Sequence, residues 1–77
     1  MIVGELYNYM IERELTHSMR SWSEEWAGRS HNYCSTNWHR PLPAEVGIRL
    51  HRLLLNEGQP DLAARLLVSL LDGASDD

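Results

Sequence analysis

Between Pro60 and Asp72 only Asp61, Arg65, Ser69 and Asp72 are polar, at intervals of four, four and three. On a helix this spacing draws one narrow wet stripe. The remaining side chains, Leu62, Ala63, Ala64, Leu66, Leu67, Val68, Leu70 and Leu71, need cover from water. Full burial of a leucine or valine contributes about 1.5–3 kcal/mol. A chain of 77 residues leaves at most one domain to supply that burial, and two short neighbours in a small bundle cannot cover so many apolar side chains on one helix. A second copy is the simplest cover, because twofold homodimers are the commonest oligomers. Leu62, Leu66, Leu67, Leu70 and Leu71 are therefore expected to form a dimer interface.

The rest of the chain also reads as helix. From Val3 to Ala27 the apolar residues fall at Val3, Leu6, Tyr7, Met10, Ile11, Leu15, Met19, Trp22 and Trp26, separated mostly by threes and fours. Glu5, Asn8, Glu12, Thr16, Arg20 and Ser23 take the opposite side, so one long amphipathic helix is expected over 3–27, ended by Gly28. Residues 28–42 lose the periodicity and gather serine, asparagine and glycine, the composition of a loop. Pro43 suits the first turn of a helix running to Asn56, with Glu45, Arg49, Arg52 and Asn56 wet and Val46, Leu50, Leu53 and Leu54 facing inward. Asn56, Glu57 and Gly58 stop that helix and Pro60 starts the next, so the two fold back as a hairpin. The last helix should end near Asp72, with 73–77 as a frayed tail. The expected fold class is all-α: a single helical domain over 1–77 with a long N-terminal helix, an irregular loop and a C-terminal αα-hairpin.

The stretch LLLNEGQPDLAARLLVSLL resembles the hairpin of a tetratricopeptide-type repeat, with leucines, a glycine turn and a small residue in the following helix. The resemblance spans about a quarter of the chain and has no second copy, whereas a stable solenoid needs about three repeats. It therefore implies an αα-hairpin and no repeat array.

Net charge is −4, unevenly spread: residues 1–27 carry −3, residues 28–52 carry +3 and residues 53–77 carry −4. The positive middle also holds His31, His39 and His51, which favours an acidic partner there and disfavours nucleic acid elsewhere. All seven basic residues are arginine, a side chain suited to bidentate contacts and aromatic stacking.

Chemically versatile side chains concentrate in the same loop. His31, Cys34 and His39 are weak candidates for metal ligation, with His17 or His51 able to complete a tetrahedron, but structural zinc sites in small domains usually carry paired cysteines. No cofactor is expected. Cys34 with a neighbouring histidine would be the only nucleophile arrangement, and so short a chain leaves little protein to shape a substrate pocket. The chain is expected not to be an enzyme. Tyrosine, tryptophan and arginine dominate interface energetics, so Tyr33, Trp38, His39 and Arg40 are the expected contacts with another protein, extended by Trp22 and Trp26. In a helix-turn-helix the second helix presents polar and basic residues; here it is nearly all apolar, so DNA binding is disfavoured. No stretch reaches the roughly 20 apolar residues of a membrane span. The opening residues lack the basic start of a secretory signal, so the expected compartment is the cytoplasm, or the host cytoplasm for a phage-encoded chain. The reading that follows is a protein-binding module, an inhibitor or adaptor of a larger protein, of the kind found among bacterial and phage regulators. The alternative is a zinc-stabilised or nucleic-acid-binding transcriptional regulator.

Overall fold

The computed structural model describes the backbone of residues 1–75 and the side chains as far as Asp72. The fold is all-α, as the periodicities require. No strand occurs among the described residues, and Ile2 and Pro41 form one isolated antiparallel bridge. The chain divides into two compact units, residues 2–41 and Met1 with the residues from Leu42 onward.

In the first unit, helix α1 spans Val3–Glu12. The backbone carbonyls of Arg40 and Trp38 accept the Val3 and Gly4 N–H groups at 2.9 and 3.0 Å, and the Glu5 carboxylate accepts the Ile2 N–H at 3.1 Å. Donors that a helix start leaves without partners are thus satisfied by a segment some 35 residues downstream. Val3, Leu6, Tyr7 and Met10 form the buried face of α1.

The single helix expected over 3–27 is two segments. Glu14 adopts φ 58°, its N–H bonds the Ile11 carbonyl at 3.0 Å and the Leu15 N–H bonds that of Met10 at 2.9 Å. This paired closure ends a helix. A second segment begins at α2 (Met19–Ser21), capped by the Ser18 hydroxyl, which accepts the Ser21 N–H at 3.1 Å. It widens at once into a π-helical turn over Trp22–Trp26, marked by the Ala27 N–H reaching back five residues to the Trp22 carbonyl at 2.9 Å. Thr16 lies in the break itself and Ser23 in the helical segment after it, in a new phase; both, expected on the wet face, are buried. Gly28 (φ 66°) ends the turn as its position predicts. The expected loop then contains one short helix, α3 (Tyr33–Thr36).

The second unit is the expected hairpin, α4 (Ala44–Asn56) and α5 (Pro60–Ser75). Pro43 is the extended residue before α4 (ψ 150°), one position outside the helix it was expected to open. Val46, Leu50 and Leu54 are buried and Leu53 is half-buried, while Glu45, Arg49, Arg52 and Asn56 are exposed as expected. Gly47 lets the helices close: a Cβ there would lie 2.6 Å from Leu70 Cδ2. His51 Nδ1 donates to the Ala63 carbonyl at 2.9 Å, a second tie between the helices. The Met1 amino group donates to the Ser69 hydroxyl, laying the first residue on α5. Of the tail expected at 73–77, residues 73–75 continue α5, and residues 76 and 77 lie outside the described residues.

Candidate protein-interaction surface

The loop residues expected to contact a partner divide into brace and rim. Trp38 is half-buried, and its ring lies so close to α1 that a Cβ on Gly4 would sit 2.5 Å from Trp38 Cε2. Tyr7 meets Trp38 at a 5.7 Å ring separation and Trp22 at 6.1 Å, both edge-on, an arrangement aromatic quadrupoles favour. Trp22 is fully buried, its indole N–H donating to the Met10 sulfur at 3.1 Å, so it serves the core and is withdrawn from the expected contact surface. Trp26 and Tyr33 are half-buried, whereas Arg29, His31, His39 and Arg40 are exposed. The segment thus offers two arginines and two histidines to solvent and three half-buried aromatic rings, on a backbone whose carbonyls hold the start of α1.

Cys34 is fully buried. Its N–H bonds the Ser23 hydroxyl at 2.9 Å, and that hydroxyl donates to the Met19 carbonyl at 2.7 Å, tying α3 to the π-helical turn. Burial pushes the thiol up from 9.0 to about 11. A thiol is nucleophilic or metal-ligating only as thiolate, and at neutral pH this one keeps its proton. Burial also raises Tyr7, with nearby Cys34 adding to it. In Tyr33 burial raises the phenol, Arg29 opposes and Cys34 adds a smaller push upward. Among the described residues no three His, Cys, Asp or Glu side chains are grouped so as to hold a metal ion. His31, Cys34 and His39 are therefore not brought together as a ligand set.

The hairpin carries the larger apolar surface. Leu62, Ala63 and Leu66 are buried and Leu70 is half-buried, so the chain itself covers this side of α5. Leu62 and Leu66, expected in a dimer interface, belong to the hairpin's own core. Leu67, Val68 and Leu71 remain 41, 57 and 61% exposed, with Ala64 exposed beside them. Their positions, 64, 67, 68 and 71, are spaced three, one and three apart, a single ridge along a helix. At the Ala64 end lies a mostly apolar depression of about 340 Å³ lined by Met1, Ala64, Arg65 and Val68. On α4, Ile48 and Leu55 are 56 and 50% exposed, seven residues apart. Sequence reasoning placed Leu67 and Leu71 in the interface and named Val68 only among the side chains needing cover; it did not single out Ile48 or Leu55. The signal available for the last two is that each falls off the inward stripe set by Val46, Leu50 and Leu54.

No family model, curated protein sequence or solved structure matches this chain. No helix among the described residues is long and apolar enough to cross a membrane.

Proposed function

We propose that the chain is a non-catalytic protein-binding module, a small cytoplasmic inhibitor or adaptor that meets other polypeptide through the outer ridge of α5. The observation that carries this reading is the exposure of Leu67, Val68 and Leu71 together on one helical face. Isolated exposed apolar residues need no explanation, but a continuous apolar stripe on an otherwise amphipathic hairpin is the pattern of a helix that lays its face against a partner. Exposed Arg29 and Arg40, with His31 and His39 in the same segment, supply a second, polar contact, complementary to an acidic larger protein. Cys34, buried and with its thiol pushed up to about 11, is withdrawn from nucleophilic chemistry at neutral pH.

A photo-crosslinking residue placed at position 68, and separately at position 40, tests the assignment in a cell lysate. Protein adducts at position 68, lost when Leu67→Asp is added, are expected. Adducts at position 40 with none at 68 would move the binding surface to the loop and overturn the assignment to α5.

A further inference from the structure

We propose that the occupant of the α5 ridge is a second copy of this chain, packed antiparallel about a twofold axis crossing the helix between Leu67 and Val68. The proposal rests on reading the ridge as a protein-binding surface and adds the partner and the register.

The ridge is complementary to itself. One end has a small residue, Ala64, beside the shallow depression; the other has the most exposed knob, Leu71. The two are seven residues apart, about 10 Å along the helix. A twofold axis between Leu67 and Val68 exchanges these ends, so Leu71 of each copy enters the depression beside Ala64 of the other. In the centre, Leu67 packs against the partner's Val68. An interface that uses the same patch twice must be self-complementary in this way.

Charge selects the direction. Arg65 lines the depression, and Asp72 follows it by seven residues on the exposed side. The antiparallel axis places Arg65 within two residues, about 3 Å of helical rise, of the partner's Asp72, and the symmetry repeats the contact. A parallel pairing in register would leave Arg65 and the partner's Asp72 seven residues, about 10 Å of helical rise, apart. One helix face is smaller than the roughly 800 Å² per partner of a standard stable interface, so dimerisation follows protein concentration over an accessible range.

Sedimentation equilibrium of the purified full chain provides the test. A concentration-dependent monomer–dimer equilibrium is expected, with Val68→Asp shifting it to monomer while helicity stays unchanged. Arg65→Asp and Asp72→Arg should each weaken the dimer by at least about tenfold, since like charges then face each other twice. Mixed in equal amounts, the two variants should regain wild-type association, because every such pair across the axis is again opposite in sign. These exchanges lie on the exposed side of α5, so they keep the test open should Val68→Asp disturb folding. A chain monomeric at every soluble concentration overturns the proposal, as does a mixture that associates no better than its components. Monomeric chain that still crosslinks to another protein through position 68 overturns self-pairing and leaves the ridge reading standing. A monomer with no adduct there removes both.

Discussion

Two chain reversals in this protein close with the same pair of hydrogen bonds, one around Gly58 and the other around Glu14. At Gly58 (φ 73°) the N–H groups of Gly58 and Gln59 return to Leu55 and Leu54 at 3.1 and 2.9 Å. At Glu14 (φ 58°) those of Glu14 and Leu15 return to Ile11 and Met10. A side chain in this left-handed conformation costs roughly 1–2 kcal/mol, which glycine avoids. Glu14→Gly should therefore raise the unfolding free energy measured in urea, by about 0.5–1 kcal/mol after the glycine's extra unfolded-state entropy. Gly58→Ala, with no atom within 4 Å of the added carbon, should lower it by about 1 kcal/mol through backbone strain alone. The same sign at both positions would show that this strain does not govern the turns. Cys34 provides a pH-dependent counterpart. Its folded thiol holds the proton up to about pH 11 against 9.0 for an ordinary one. The associated stability is whole below pH 9.0 and declines as pH rises through about 11. Tyr7 and Tyr33, both raised by burial, act in the same direction above 10.0. Denaturant midpoints measured across this range should fall, and less steeply at its lower end in Cys34→Ala.

At the scale of elements, α4 and α5 meet where Gly47 faces Leu70. Gly47→Ala combines a helix-propensity gain of up to about 1 kcal/mol with an overpacking cost of about 1–3 kcal/mol. It should be mildly destabilising alone and stabilising in a Leu70→Ala background. A double-mutant cycle on thermal or urea unfolding reads that coupling, and additivity would mean the contact carries no strain. Ser23→Ala should cost about 1–3 kcal/mol, because the buried Cys34 N–H loses its acceptor. The hairpin was legible because Pro43, Gly58 and Pro60 mark its boundaries and its apolar spacing holds throughout. The break in the N-terminal segment was not, because the threes and fours from Val3 to Ala27 run straight through residues 13–18 and nothing in Glu14 announces a left-handed turn. The expected site was legible in part for a related reason. Apolar spacing identifies α5 as too apolar to stand alone, yet cannot say that the fold buries Leu62 and Leu66 while Leu67, Val68 and Leu71 stay out. Trp38 stood out as a contact residue by its type, whereas in the fold its ring packs on Gly4 and Tyr7 and its carbonyl, with that of Arg40, holds the start of α1, a role no side chain advertises.

For the whole molecule, a dimer through α5 makes stability depend on protein concentration by mass action. The thermal midpoint of wild-type chain should rise with concentration, and that of Val68→Asp should not. Every tryptophan and tyrosine of the sequence, Tyr7, Tyr9, Trp22, Tyr33, Trp26 and Trp38, lies within residues 2–41, while the two longest helices, α4 and α5, lie outside that span. Ultraviolet emission therefore watches one unit, and ellipticity in the far ultraviolet is weighted toward the other. Melting curves from the two signals will superimpose if the chain loses its structure in one step and separate if it does so in two.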